Sequence, residues 1–459
     1  MNNNTPIRVR FAPSPTGHLH VGGLRTALFN YLFAKHVSGI YLLRCEDTDT
    51  ERSSKDFFAS QMSSLAWVGI MPDEPVVIQS SRFDEHKKII NKLLSEKKAY
   101  KCFCTEQDLK ERLGREENNA TFIRYDRHCF YNQSDKKRSY VIRFCMPEIP
   151  DMYKFHDLIR GVVSFTPDQY DDFIIVRSDN VPVYNLVVVI DDAFMNISHV
   201  IRGEEHISNT PKQIALYHAC GFTIPKFAHL PMILSANGQK LSKRDGAVSV
   251  NEYKEMGYLP HALINYLARL GWAHGDQELF SMKELIACFS LQEVGKKGAI
   301  FDKAKLDWIN SIYIRATDAA QLYVYMQETL HYNFVVAYPA WDRCLVERAI
   351  NIFKERVATL RDLLREIESF YKGPMLEIAH VTSPMRYYAR VVREIFLKEG
   401  VALTNIKNIA KEIGVPMVAI AQSVRFALLG KIDGPGVGDL LAILSKQEIL
   451  QRLERLETI

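Results

Sequence analysis

The chain has 459 residues, 47% hydrophobic and 24% charged, with a net charge of +4. That is the composition of a soluble globular protein with room for roughly three domains at ~150 residues each. Its mild basicity permits a polyanionic partner without demanding one. The opening MNNNTPIRVR has no apolar core of a signal peptide. The densest apolar run, 186–190, is ended by Asp191 and Asp192, far short of the ~20 residues a membrane helix needs. A cytoplasmic protein is expected. Eight cysteines in so long a chain are no disulfide framework. Cys45, Cys145, Cys220, Cys288 and Cys344 sit singly in mostly apolar surroundings and read as small hydrophobes.

Ile7, Val9 and Phe11 alternate with Arg8 and Arg10, the period of a strand. Pro13, Pro15, Gly17, Gly22 and Gly23 break it into a loop, and Leu24, Ala27, Leu28, Tyr31 and Leu32 then follow helical spacing. A second strand over 39–45 completes a parallel βαβ unit. Ligands of such folds sit at the carboxyl ends of the strands, here the PSPTG loop and Glu46. Helices are expected over 55–67 and 83–96. Residues 101–140 are Cys-rich, charged and poorly periodic, which suggests an insertion. Strands are expected over 172–176 and 183–190. Thr210-Pro211 reads as a helix start with Thr210 as N-cap, and Gly221 as its close. A strand over 228–234 leads to the turn Asn237-Gly238 and the loop KLSKR at 240–244. From about residue 255 the chain is mostly helical, with helices expected around 345–364 and 423–429. Scattered Arg and Lys there read first as solvated faces.

RFAPSPTGHLHVGG at 10–23 and KLSKR at 240–244 form one chemical device. Such a pair can grip a nucleoside triphosphate from both sides, and chemistry at its phosphates gathers negative charge on their oxygens, so positioning and fixed positive charge matter more than acid–base work. His20 can donate to a phosphate oxygen. Gly22 and Gly23 let backbone approach, and the following helix offers its positive N-terminus. Lys240 and Lys243 are mobile charges suited to β- and γ-phosphates, and Ser242 adds a hydroxyl. Either segment alone has a plain alternative, a common turn or a basic surface loop; their joint placement in a split Rossmann-type fold favours the nucleotide reading.

HVGG and KLSKR resemble the HIGH and KMSKS motifs of class I aminoacyl-tRNA synthetases, with glycine in the final histidine position of the first. The longer string, together with RCEDTD at 44–49, VIRGEEHISNTPKQ at 200–213, KLSKRDGAVSV at 240–250, NYLARLGW at 265–272 and FDKAKLDWINSIYIR at 301–315, is similar to the bacterial glutamyl-tRNA synthetases. The glutaminyl branch typically has PEPNG where this chain has PSPTG. The resemblance implies an α/β Rossmann-type catalytic domain split by an acceptor-binding insertion, then an all-α anticodon-binding region. Its segments would be 1–100 and 183–250 for the catalytic halves, 101–182 for the insertion, 251–320 for a helical stem-contact domain and 321–459 for the anticodon region. It implies attachment of L-glutamate to tRNA(Glu) through a glutamyl-adenylate, with ATP and Mg2+, by a monomer that activates glutamate only with tRNA bound. ATP would meet Pro13, Thr16, Gly17, His20, Gly22, Gly23, Lys240, Leu241, Ser242, Lys243 and Arg244, with His20, Lys240 and Lys243 catalytic. Arg10 would pair with the γ-carboxylate of glutamate, Ser14 and Ala12 would line its site, Glu46 would hold its ammonium, and Tyr184 and Arg202 would complete the pocket. Core packing is an equal alternative for Tyr184.

In the helical third, Arg356 matches an arginine associated with the third anticodon base, and Arg425 and Pro435 align near the first. Gly434 stands where Thr is common. Two further departures are notable. Residues 71–82 lack a Gly-Pro-Tyr-rich stretch, which would alter a loop near the acceptor end. Cys102, Cys104 and Cys129 offer three thiols for zinc, as in some family members, but the usual fourth position falls on Tyr131; Tyr125 or His128 could substitute. The weighed alternatives are a tRNA-modifying paralogue, a silent RNA-binding scaffold and a small-molecule nucleotidyltransferase. The first and last have no use for the helical third, and the second would be expected to lose Arg10, His20 or Lys243. Whether tRNA(Gln) is also charged stays open, with Arg356 leaning toward discrimination.

Overall fold

The computed structural model describes residues 6–49, 53–113, 124–132, 138–148, 152–241 and 249–459. Ser242, Lys243 and Arg244 lie outside them. The chain divides into two units, Met1–Asn251 with Ile264–Asp302, and Glu252–Leu263 with Lys303–Ile459.

In the first unit, β1 (Arg8–Phe11), α1 (Val21–His36) and β2 (Ile40–Cys45) form the βαβ unit, with Arg8 opposite Ile40 and Phe11 opposite Leu43 in parallel register. Leu24, Ala27, Leu28 and Leu32 of α1 are fully buried, the stripe that seats a helix on a sheet. The chain continues through α2 (Lys55–Trp67), capped by Ser54 on the Asp56 N–H, to β3 (Val77–Ile78) beside β2. After α3 (Phe83–Ser95) come β4 (Ala99–Cys102), α4 (Glu106–Leu113), α5 (His128–Tyr131) and β5 (Val141–Phe144). The hairpin of β6 (Tyr153–Asp157) and β7 (Gly161–Phe165) precedes β8 (Ile174–Val176). β5 lies between β4 and β8 in one antiparallel sheet.

Residues 183–190 are not a strand. The chain forms a helix there, α6 (Tyr184–Phe194). Leu186 through Asp192 are all buried, so the helix is enclosed on every side. A run of Val and Ile that is apolar all round carries no period, and packing rather than β propensity decides it. β9 (His199–Gly203), α7 (Thr210–Cys220) and β10 (Lys226–Leu230) follow, and β9 and β10 join the hairpin in a sheet of order β7-β6-β10-β9. β9 starts beside β1, where Ser198 N–H donates to Arg8 O at 3.0 Å. α7 ends at Gly221 with φ +74°, but Thr210 does not cap it. Thr210 already has helical angles, and its hydroxyl turns inward to Arg202 and His229. The expected strand over 228–234 is two pieces, β10 and β11 (Ile233–Leu234), separated at Pro231.

The second unit contains helices and no strand among its described residues. Leu360, Leu363, Ile367 and Phe370 give the helix Leu360–Lys372 a buried face at i, i+3, i+7 and i+10, and Thr359 caps it on the Asp362 N–H.

Candidate active site

A cavity of about 580 Å3 opens at the carboxyl ends of β1, β2 and β9, a size suited to small-molecule ligands. Arg10, Ala12, Pro13, Ser14, Thr16, Gly17, His20, Gly22, Gly23, Glu46, Tyr184, Arg202, Lys240 and Leu241 all line it. The sequence-named residues for glutamate and the described ones for ATP thus share one space.

His20 is the N-cap of α1, and its Nδ1 accepts the Gly23 N–H at 3.2 Å. That bond leaves Nε2 as the ring donor. The packed protein around it, and then the Lys240 charge, push its pKa down, so the ring is neutral near pH 7. A Cβ on Gly22 would stand 3.1 Å from the His20 ring, and one on Gly23 2.9 Å from Leu19 Cδ1. A side chain at either position would crowd this helix start. Lys240 comes from a hairpin in which Ser235 N–H donates to Gln239 O and Leu241 N–H to Ile233 O, with Gly238 at φ +77°. Val250 N–H donates to Leu19 O at 2.8 Å, so the chain beyond the lysine loop returns to HVGG. Gln61, not singled out from sequence, holds the PSPTG loop by donating to Ser14 O at 3.1 Å and Gly17 O at 2.8 Å.

Behind the cavity wall lies a set of buried charges, of which Arg10, Glu46 and Arg202 line the cavity itself. Arg10 gives Nε and Nη2 to Asp192 at 2.9 and 3.1 Å, and Arg44 gives Nη1 to the same carboxylate at 2.5 Å. Arg44 Nη2 reaches Glu46 Oε1 at 3.0 Å. Burial works against the Asp192 anion, but Arg10 and Arg44 outweigh it and hold its pKa below the ordinary value. For Glu46 burial wins over Arg44 and raises the pKa. Arg202 differs in kind. Its acceptors are His229 Nε2 at 3.1 Å, Gln213 Oε1 at 2.8 Å, Thr210 Oγ1 at 2.9 Å and His206 O at 3.4 Å. No carboxylate pairs with it among the described residues. The Tyr184 hydroxyl meets His206 Nδ1 at 3.3 Å, and burial, then Arg202, lowers the His206 pKa to about 4. His206 lies in the motif at 200–213 but was not singled out, and Asp192 carries no motif signal; the fold brings both here.

A second group lies apart from the cavity. The sulfurs of Cys102, Cys104 and Cys129 fall within 4.8 Å of one another, with Cys104 and Cys129 at 3.4 Å. The Tyr125 hydroxyl stands 3.3 Å from Cys102 Sγ and 3.5 Å from Cys104 Sγ. A tetrahedral zinc with ~2.3 Å bonds to sulfur needs sulfurs roughly 3.8 Å apart, so this donor set fits the ion. His128 is not part of the group, and Tyr131 is exposed.

In the second unit, Arg356 is exposed in the turn Lys354–Arg356. Arg425 donates to Pro435 O at 2.9 Å and Ile432 O at 2.7 Å, so these two sequence-named residues meet. Gly434 has φ +156°, and a Cβ there would lie 2.9 Å from Leu429 Cδ1 and 3.3 Å from Arg425 Cδ. A side chain here would crowd Leu429 and Arg425. The shortened segment 71–82 is tied down by Gln79 on Asp191 and Ser80 on Asp47.

Residues 6–308 match the family model for the catalytic domain of class I tRNA synthetases (E and Q), and residues 321–456 an anticodon binding domain. A glutamate–tRNA ligase of Thermodesulfovibrio yellowstonii is 41% identical, over 98% of this chain and 99% of its own length. The chain belongs to the class I glutamyl-tRNA synthetase family. The synthetase is 40% identical to a glutamate–tRNA ligase of Aquifex aeolicus over 98% of each chain. Among solved structures it resembles a glutamate tRNA ligase of Elizabethkingia meningosepticum in complex with its amino acid, with TM-score 0.86 and 31% identity over 99% of both chains. The synthetase is therefore an enzyme of translation whose class works with ATP and Mg2+. No helix among its described residues is long and apolar enough to cross a membrane.

Proposed function

We infer that the synthetase couples ATP cleavage to attachment of L-glutamate to tRNA(Glu). The observation that carries this reading is a single cavity lined both by Arg10, Glu46, Tyr184 and Arg202 and by His20, Gly22, Gly23 and Lys240. An α-carboxylate oxygen of glutamate attacks the α-phosphorus, and pyrophosphate leaves. The His20 Nε2–H and the N-terminus of α1 meet the phosphate oxygens, and Lys240 with Lys243 balances the leaving charge. Bound Mg2+ supplies further positive charge to the phosphates. The terminal 2′-hydroxyl of tRNA then attacks the activated carbonyl, and AMP leaves. Arg10 and Arg202 receive the γ-carboxylate, which glutamine lacks. Glu46 takes the substrate ammonium, a charge that would relieve its own burial. Cys102, Cys104, Cys129 and Tyr125 would hold structural zinc. Residues 1–100 and 183–250 act as catalytic halves, 101–182 meets the acceptor end, 251–320 the stem, and 321–459 the anticodon through Arg356, Arg425 and Pro435. The synthetase acts as a cytoplasmic monomer.

The test is charging of purified tRNA(Glu) and tRNA(Gln) with labelled glutamate, with glutamine as control. Glutamate on tRNA(Glu) supports the reading. Charging of tRNA(Gln) as well keeps the enzyme and removes Arg356 as discriminator. No charging by folded, ATP-binding protein refutes it.

A further inference from the structure

Arg202 is an unusual cation. It is buried, and burial lowers its pKa, yet its four acceptors are neutral and no described carboxylate pairs with it. A guanidinium has five N–H donors, so one stays unused by these partners. Its negative charge stands one residue further back. His229 receives Arg202 Nε at Nε2, and its Nδ1 lies 2.7 Å from Asp157 Oδ2. Asp157 comes from the end of β6, His229 from β10 and Arg202 from β9, three neighbouring strands of one sheet. Asp157 and His229 are fully buried.

We propose that Asp157 and His229 are positioning residues that aim Arg202 at the substrate's carboxylate by fixing the ring tautomer of His229. The chemistry is one-directional. The Asp157 carboxylate already accepts the N–H groups of Ile159 at 2.9 Å, Arg160 at 2.8 Å and His229 at 3.0 Å. Burial opposes its charge, but His229 and these N–H groups prevail and hold its pKa low. An ionised Asp157 can only accept, so His229 Nδ1 must carry the hydrogen. Nε2 is then bare, and it alone can accept Arg202 Nε. Thr210 Oγ1, 3.1 Å from Nε2, accepts Arg202 Nη2 and can donate its own hydrogen to the same nitrogen. Burial lowers the His229 pKa against the pull of Asp157, which keeps the ring neutral. In the opposite tautomer, Nε2–H would face Arg202 Nε–H and push the guanidinium out of line. The device leaves Arg202 held in direction but not neutralised, as a reader of an anionic side chain requires.

This inference rests on the reading of Arg202 as part of the glutamate pocket, and the experiment separates the two. Glutamate and ATP KM values in aminoacylation are measured for Arg202→Met, Asp157→Asn, His229→Asn and His229→Gln. Glutamine at the Nε2 position can turn its oxygen to Arg202, whereas asparagine reaches only toward Asp157. Asp157→Asn puts an amide N–H2 where only acceptors fit and favours the wrong tautomer. The expected result is a glutamate KM raised ~10-fold or more, about 1.4 kcal/mol, in Asp157→Asn and His229→Asn. ATP KM stays constant, and His229→Gln lies near wild type. Nitrogen NMR of histidine-labelled enzyme should find His229 protonated at Nδ1, and no longer so in Asp157→Asn. Equal loss in His229→Gln and His229→Asn, or parallel rises in both KM values, would assign the effect to packing and overturn the proposal. A raised glutamate KM in Arg202→Met alone would overturn the relay while keeping Arg202 as reader. An unchanged glutamate KM in Arg202→Met would remove that premise and the proposal with it. Should Asp157→Asn not fold, the two His229 variants decide.

Discussion

Replacing Asp192 by Asn removes one negative charge from between two buried guanidiniums. Its carboxylate meets Arg10 Nε, Arg10 Nη2 and Arg44 Nη1, and the three side chains are at most 4% exposed. An amide offers one oxygen and turns its N–H2 toward one of the arginines. Breaking a buried ion pair by removing one partner costs about 3–5 kcal/mol, because the other charge stays buried. Against a total stability of about 5–15 kcal/mol that is a large share. Urea unfolding should register it as a lower midpoint with an unchanged slope. The same variant should raise the glutamate KM, since Arg10 loses its anchor at the cavity wall. Asp191→Asn is the control. Asp191 holds Gln79, Arg82 and His86 at 2.9, 2.8 and 2.8 Å, none of which lines the cavity, whereas Asp192 holds the lining residue Arg10; loss of Asp191 should therefore lower stability and spare the glutamate KM. A fall of less than ~1 kcal/mol in Asp192→Asn, with glutamate KM unchanged, would refute the view that this ion pair carries both burial and binding.

Stability should also depend on acid in a set direction. Asp157, Asp191 and Asp192 have lowered pKa values in the fold, so their contribution is present above the unfolded value near ~4 and is lost as pH falls through the folded ones. Glu46, with its pKa raised, works the other way, losing its contribution as pH rises through its folded value. Urea midpoints should hold from about pH 7 to 5 and drop below about pH 4; a drop beginning near neutrality would contradict this. His20→Ala should lower kcat by ~100-fold to ~1000-fold at saturating ATP, the size of a lost oxyanion donor, while the glutamate KM moves little. Elemental analysis of purified enzyme should find zinc at one per chain, and Cys104→Ser or Tyr125→Phe should lose it and lower the Tm; equal zinc in all three would exclude this donor set. Arg356→Gln should relax the choice between tRNA(Glu) and tRNA(Gln) in competitive charging; an unchanged ratio would assign discrimination elsewhere.

The residues that line the cavity were readable because they sit in short motifs, above all two loops rich in Gly, Pro, His and Lys. Several of their buried partners were not. Arg10 and Asp192 are 182 residues apart, Arg44 and Asp192 148, and Asp157 and His229 72. No local period links such positions: Arg10 and Arg44 stand in quoted motifs, but Asp157, Asp192 and His229 alone read as ordinary polar residues in apolar stretches. The misread of 183–190 has the same root. Read as a strand, consecutive Asp191 and Asp192 would fall on opposite faces. In α6 they stand about 100° apart, and so one reaches α3 while the other reaches Arg10 at the cavity wall. Thr210 misled for a related reason: its type suits a cap, but the buried Arg202 offers its hydroxyl a partner that solvent-side cap positions lack.

If Arg10, Glu46 and Arg202 receive glutamate as proposed, the cavity would select by charge as much as by shape. Arg10 and Arg44 are matched by Asp192 and Glu46, two cations against two anions. Arg202 has only neutral direct partners, its nearest bonded carboxylate being Asp157 behind His229. Free glutamate carries one net negative charge and glutamine none. On the proposed reading, glutamate would bring a carboxylate directly to Arg202, while glutamine would leave this buried cation facing an amide, whose N–H2 end cannot accept from it. A site built this way would exclude the amide by leaving its own charge without a direct partner, which discriminates more strongly than a fit of size could. On that reading the selectivity would rest on the absence of a carboxylate beside Arg202. Introducing one, as in Gln213→Glu, would complete an ion pair at the 2.8 Å contact now made by Gln213. Folding would survive or improve, while the preference for glutamate over glutamine would shrink, a separation of stability from specificity that urea unfolding and competitive charging read independently.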